Sequence, residues 1–350
     1  MVVRIFDSNF NLKAELTNIT SVAQTKYINS AGAFEIKLSS IPNANVGDFI
    51  YTIGNDFQRY DGIITQVSGE INAGVAEYTL SGYELLHILS FRAPVYNGHV
   101  LSYGGEYAED ILRDIVTKLF LSPDIDDRRI DCVTYAHVSA QNKRISISVD
   151  TSSIGTALTM LDDINSESGY GLFAELDPLY GKIRFNPCIP RDSAVILSPV
   201  YDNLIGESFR ASESTWKNVA YYAVTENDIT TIYSEGLNAG TGWTRRETGI
   251  AADAGDSTLA QKASIIHMQL GNYKRTENYS GEYVKSGSFV FGDDFFLGDR
   301  VLYKGAYGQT RAQVIGYTQT LDSSGNRLQL LFGDNTESRL NNIKRISGVG

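Results

Sequence analysis

The sequence predicts an α+β, β-rich chain, with two similar small β-barrels near its two ends and α/β inserts between them. Three observations predict it. A stretch near the start is heard again near the end: Gly47–Gly82 returns as Gly298–Gly333, and the two overlie without a gap, since 298 − 47 and 333 − 82 both equal 251. Identities fall at Gly47/Gly298, Asp48/Asp299, Gly54/Gly305, Gln58/Gln309, Ile64/Ile315, Gly74/Gly325, Leu80/Leu331 and Gly82/Gly333. Composition points the same way, because 21 Tyr and 32 Gly against 3 Met and 7 Pro favour short strands and turns over long helices. Between about 93 and 200 the apolar period switches from two to helical spacing, which marks a different kind of segment.

In chain order, Val2–Phe6 and Leu12–Leu16 read as strands around the polar turn Asp7-Ser8-Asn9. Thr20–Tyr27 and Phe34–Leu38 follow, with Phe34, Ile36 and Leu38 at period two. Each copy of the repeat then reads as three short strands, reversed at Asn72-Ala73-Gly74 or at Asp322-Ser323-Ser324-Gly325, where glycine supplies a positive φ. Glu84–Phe91 reads as a short helix closing a first barrel over residues 1–92. An α/β insert covers 93–203. In it Ile111, Leu112, Ile115, Val116 and Leu119 stripe one helix; a second, capped by Ser153 and stopped by Gly169, carries Ile154, Ala157, Leu158, Leu161 and Ile164. Tyr170–Leu176 and Lys182–Phe185 pair as a hairpin. The second barrel takes 204–225 and 280–335, with Trp216, Val219, Tyr221 and Ala223 read as one side of a strand and Glu282–Phe291 as strands leading into the repeat. A strand-helix insert over 226–279 includes a helix at Thr258–Leu270, and 336–350 is a polar tail.

The formal net charge of −11 excludes the usual nucleic-acid binder, which presents a basic face. It does not exclude a channel through which DNA passes unheld. Cys132 and Cys188 are the only cysteines and form no CxxC motif, so neither a disulfide framework nor a zinc site is expected. The first residues lack the apolar stretch of a signal peptide, and no apolar run matches a membrane span. The expectation is a chain made in the cytoplasm.

A search for catalysis finds little. His87, His99, His137 and His267 are scattered, with no helical pair to grip a metal. Cys132 and His137 stand five apart, but nothing nearby offers an oriented base or an oxyanion hole. Asp124, Asp126, Asp127 and Asp131 could hold a hard cation; Arg128 and Arg129 beside them favour a solvated turn. Asp293-Asp294 is more simply a turn, and Glu167, before a hairpin, is more simply a surface residue than a lysozyme-like acid. No catalytic, cofactor or metal residue is therefore assigned.

The opening Arg4–Leu12, the segment Leu80–Arg92 after the first repeat, and Leu297–Val301 opening the last resemble the bacteriophage tail-hub family. That family comprises the baseplate hub and the amino-terminal part of siphophage tail-associated proteins. The resemblance implies a structural virion protein at the tail tip, assembled in the host cytoplasm. It implies a homotrimer whose paired barrels alternate as a pseudo-six-fold ring between tail tube and tip. Its partners would be tail-tube or distal-tail ring proteins and a tip spike, fibre or lysin, with DNA or tape-measure protein passing without specific binding. The signature of the repeated barrels is Gly47, Asp48, Gly82, Gly298, Asp299 and Gly333. Two other classes stay open: a tail-associated cell-wall hydrolase, and a host carbohydrate-binding adhesin in which exposed aromatics such as Trp243 stack on sugars.

Overall fold

The computed structural model describes residues 1–54, 57–72, 75–138, 143–147, 154–226, 228–237, 239–250, 259–271, 273, 275–285 and 289–333. Strand accounts for 53% and helix for 17%, so the chain is β-rich α+β. Two compact units emerge, Met1–Phe209 with Tyr279 onward, and Arg210–Asn278.

The first unit is built on one 13-stranded sheet. Val2–Phe6 pairs antiparallel with both Leu12–Leu16 and Phe49–Gly54, and Phe49–Gly54 continues to Phe57–Asn72, Val75–Glu84, Ala33–Leu38 and Ile19–Tyr27. Ile19–Tyr27 then crosses to Gly308–Asp322 of the second half, next to which lie Gly325–Gly333, Thr276–Tyr283 and, at the far end, Leu204–Ser212. Arg300–Gly305 branches off Gly308–Asp322 and pairs parallel with Asp192–Leu197. The hydrogen-bonded path is one open sheet; two separately closed barrels are not seen among the described residues. Each half does surround a core of its own. Val3, Ile5, Phe34, Ile36, Ile50, Ile64 and Leu80 fill the first, and Leu197, Val301, Tyr303, Val314, Leu330 and Phe332 fill the second.

Local sequence accounts for these elements. The Asp7 carboxylate accepts from the Asn9 and Asn11 amides and so closes the first turn. Phe34, Ile36 and Leu38 alternate inward as their period requires. Glu84 caps a 3-10 turn over Leu85–Phe91 by accepting from the Leu86 amide.

The insert packs around helix α1 (Ala108–Val116), prolonged by a π turn over Thr117–Leu121, and helix α2 (Ala157–Ser168). The expected stripe Ile111, Leu112, Ile115, Val116 and Leu119 is buried. Ser153 lies outside the described residues; Thr156 caps α2, and Gly169, at φ +76°, ends it. The hairpin runs Gly171–Asp177 to Lys182–Cys188, with Val133–Tyr135 added in parallel.

In the second unit Val219–Glu226 pairs with Ile229–Gly236 and Glu247–Gly249 as a separate three-stranded sheet. Helix α3 (Leu259–Leu270) covers one face, where Ala220, Tyr222 and Val224 meet Ile266 and Leu270. Two expectations are thereby corrected. The large sheet is left at Ser212 rather than at 225, and of the strand positions grouped on one side only Val219 is buried, Tyr221 and Ala223 being exposed. The strand expected at Glu282–Phe291 instead starts at Thr276 and ends at Tyr283, and Phe291 makes only an isolated bridge to Phe295. The turn at Ala73-Gly74 and the tail 336–350 lie outside the described residues.

Candidate functional site

The repeat folds as two matching clips. Gly47 has φ +93° and Gly298 +97°. The Gly47 amide donates to the Ile64 carbonyl at 2.8 Å, and Ile64 returns a bond to the Asp48 carbonyl at 2.9 Å. Gly298 and Asp299 do the same with Val314, both at 2.8 Å. Each aspartate is then tied down twice. Asp48 accepts from the Asn45 amide (2.7 Å) and the Lys13 ammonium (2.6 Å); Asp299 accepts from the Phe296 amide (2.9 Å) and both arms of Arg191 (2.9 and 2.7 Å). A carboxylate that holds the turn's own amide and a cation from elsewhere in the chain fixes where the following strand starts.

The gap-free overlay does not survive past these clips. Ile64 corresponds to Val314, an offset of 250 rather than 251, because the first hairpin carries an extra residue at a bulge, Gln58–Arg59 opposite Ile53. Gly82 pairs with Ile64, whereas Val314 pairs with Phe332, so the positions that match in register are Gly82 and Phe332, not Gly82 and Gly333. Gly82 answers a local need: a Cβ there would stand 2.0 Å from the Ile63 carbonyl oxygen.

Between the halves runs a polar seam. Ile19–Tyr27 pairs with 316–321 of the second half, from Gly316 opposite Tyr27 to Leu321 opposite Val22. Across it the buried Gln319 accepts from the Gln58 amide (2.8 Å) and the Tyr317 hydroxyl donates to the Arg59 carbonyl (3.4 Å), while within the first half the buried Gln24 donates to the Gln58 carbonyl (3.1 Å). Behind it lie two carboxylates without solvent exposure. Asp61 bonds the Arg59 guanidinium (3.0 Å) and accepts from the Leu176 amide (3.1 Å). Glu84 has the Lys26 ammonium 3.9 Å from one oxygen. Burial raises both carboxyls, Glu84 to about 8, against the pull of Lys26. One oxygen of each and the Tyr60 hydroxyl lack a hydrogen-bond partner.

Among the described residues the sheet has open edges at Leu12–Leu16 and Asp192–Leu197, and two more that bear on the repeat. Phe57–Asn72 is held on one side by Val75–Glu84 from Gly62 onward, but on the other only its first part pairs, with Phe49–Gly54. Residues 65–71 are exposed on both faces. At the far end, Leu204–Ser212 is similarly open. A file of rings leads out to it, from Phe332 through Tyr303, Tyr279 and Phe209 to Tyr307, with centroids 4.8 to 6.3 Å apart.

Several of the residues weighed for catalysis are engaged in structure. His87 stacks on Tyr83 at 4.4 Å. Burial pushes the Cys132 thiol up, the reverse of an activated nucleophile. Asp124 pairs with Arg128 and accepts from the Asn97 amide, and Asp294 accepts from the Val290 amide. Among the described residues no group of three His, Cys, Asp or Glu could hold a metal, and no helix is long and apolar enough to cross a membrane.

A family model described as Siphovirus ReqiPepy6 Gp37-like protein matches residues 2–334. The chain belongs to that family. Its fold is shared by solved phage tail proteins. One is the 43 kDa tail protein of prophage MuSo2 from Shewanella oneidensis, with 13% identity, TM-score 0.59, 95% of this chain and 98% of that one covered. A second is the tail protein from Neisseria meningitidis MC58, with 15% identity, TM-score 0.57, and 95% and 96% covered. A third is the prophage tail protein gp18 from Listeria monocytogenes EGD-e, with 13% identity, TM-score 0.52, and 100% and 99% covered. No curated protein matches. The tail-hub resemblance read from the sequence is thus shown.

The free edges and the seam are what sequence reasoning missed. The signal was present in Gln24, Gln58 and Gln319, uncharged polar residues inside strands that otherwise alternate apolar and exposed, but nothing in the sequence says that they meet.

Proposed function

We propose that the chain is a structural, non-catalytic hub of a phage or phage-like tail, and that three copies close into a ring of six similar half-sheets. The observation that carries this is the seam. In the second half the outer side of 316–321 is paired with Ile19–Tyr27. In the first half the corresponding stretch, 66–71, is free on that side among the described residues, and the strand corresponding by order to Ile19–Tyr27 is Leu204–Ser212, also free. The contact made once inside the chain therefore has both of its parts available for a second time, between copies. Such a head-to-tail contact closes into a ring when the rotation allows. Three chains would give six near-equal contacts, which suits a six-fold tube meeting a three-fold tip. A negative balance of −11 suits a lumen that lets DNA or tape-measure protein slide without sticking. Tube or distal-tail ring proteins would sit on one side and a spike, fibre or lysin on the other, at the virion tail tip.

The test is solution mass with and without a blocked edge. Counting from the Asn72–Val75 pair at the hairpin end, the Val67 N–H points away from its paired strand. Val67→Pro removes that donor and places a ring on the free side while leaving the inner ladder intact. The parent protein is expected to reach the trimer mass by light scattering as concentration rises, and the variant to stay a single chain with an unchanged circular dichroism spectrum. A variant that trimerises like the parent sinks the edge-to-edge ring.

A further inference from the structure

Residues Arg210–Asn278 form a unit whose small sheet is covered by α3 on one face and, among the described residues, is exposed on the other beyond the buried Val219. The bare face carries Tyr221, Ala223 and Thr225 opposite Ser234, Ile232 and Thr230, with Thr225 and Thr230 joined through their hydroxyls at 2.9 Å. Beside it, in the 3-10 turn Gly242–Thr244, stands Trp243, 91% exposed and the most exposed large apolar side chain among the described residues.

This indole is held out on a rigid mount. The Thr244 hydroxyl accepts from the Thr241 amide (3.1 Å) and donates to the Thr241 carbonyl (2.9 Å). The buried Asn218 donates to the Thr244 carbonyl (2.9 Å) and accepts from the Arg246 amide (2.7 Å), and the Arg246 guanidinium donates to the Trp243 carbonyl. Next to the mount lies a prearranged polar chain: Arg245 donates to the Tyr221 hydroxyl (3.0 Å) and to Glu247, and Tyr221 donates to Glu247 (3.1 Å). Because Glu247 is paired with Val219, it shares the bare face with Tyr221.

We infer that this face is a glycan-binding site, in which Trp243 stacks on the apolar face of a pyranose ring while Arg245, Tyr221 and Glu247 bond the hydroxyls at its edge. A sugar ring offers an apolar face rimmed by hydroxyls, and this surface offers a flat ring beside fixed donors and acceptors. A protein partner would be matched better by apolar neighbours that seal water away from the anchor. Here the neighbours are hydroxyls and an arginine–glutamate pair, with only a narrow apolar strip at Ala223 and Ile232. Holding the turn in place beforehand lowers the entropy cost of capturing a flexible polymer.

The chain has two tryptophans, so Trp216→Phe leaves Trp243 as the only indole reporter in the full-length protein. Its fluorescence is titrated with chitotetraose, cellotetraose and β-1,4-galactotetraose into the millimolar range. At least one is expected to give a saturable change. In the otherwise unaltered chain, followed by ligand-observed NMR, Trp243→Ala is expected to weaken that binding by roughly tenfold or more, and Tyr221→Phe, which removes one hydroxyl, by a smaller factor. Circular dichroism checks that both variants fold. The inference is overturned if no oligosaccharide changes the signal, if Trp243→Ala binds as well as the parent, or if Trp243→Ala instead lowers the solution mass, which makes the indole a contact between chains.

Discussion

Replacing Glu84 by glutamine should change how the stability of this protein depends on pH. Glu84 faces Lys26 from the Ile19–Tyr27 strand, Tyr60 and Asp61 from Phe57–Asn72, and Tyr317 across the seam. Burial is the largest influence on its carboxyl and raises it from 4.5 to about 8, with Lys26 opposing. The folded chain therefore keeps a proton that the unfolded chain releases. That contribution is fully present below about pH 4.5 and is lost as pH rises to about 8, beyond which it falls no further. At about 1.4 kcal/mol per pH unit, the loss is on the order of 5 kcal/mol at most. Asp61 and Asp163, also raised by burial, tilt stability in the same direction but are common to both proteins. Urea unfolding of parent and Glu84→Gln, followed by circular dichroism from pH 4 to 9, isolates the difference. The two should nearly coincide at the acid end, and the glutamine variant should be the more stable by several kcal/mol at pH 9. Parallel curves across the range would mean that Lys26, at 3.9 Å, keeps Glu84 ionised and that burial is not the stronger influence.

The paired clips give a second comparison. Gly298→Ala meets both a positive φ and a Cβ position 2.1 Å from the Cys188 sulfur, whereas Gly47→Ala meets the positive φ in open space. Gly47→Ala should cost about 1–2 kcal/mol and Gly298→Ala clearly more, with part of the excess recovered in Gly298→Ala/Cys188→Ala, all read from unfolding midpoints. Asp299→Ala removes the anchor of the Phe296 amide and frees a largely exposed Arg191, so a loss of about 1–2 kcal/mol is expected from the same assay. Burial pushes the Cys188 thiol to about 12, so at pH 8 a thiol reagent should modify only Cys132 in the native protein and both cysteines in urea.

Much of the fold was legible because it rests on local rules. The alternation Phe34-Ile36-Leu38, the helical stripe from Ile111 to Leu119 and the Gly169 stop each depend on neighbours within a few residues. The Gly-Asp clips were legible as a repeat because a turn at φ near +95° constrains residue type wherever it occurs. The slip from 251 to 250 was not, since one extra residue at Gln58–Arg59, opposite Ile53, costs little and leaves the flanking apolar pattern intact. Nor was the parity of Val219–Glu226. Tyr and Val occur on both sides of that strand, and only the position of α3 decides which side is buried. The free edges were hidden for a different reason: an unpaired strand differs from a paired one in what lies beside it, not in its own residues.

The chain passes out of the first compact unit at Phe209 and re-enters it at Tyr279, and those two rings lie 4.9 Å apart. The residues from Arg210 to Asn278 are therefore an insertion whose ends are closed by one clasp, the Phe209–Tyr279 contact. A different length or a different small domain could be spliced there with little change in the entropy of bringing the ends together, because the clasp already holds them. Related chains could thus keep the sheet constant while exchanging the pendant, and so meet different surroundings with the same underlying frame.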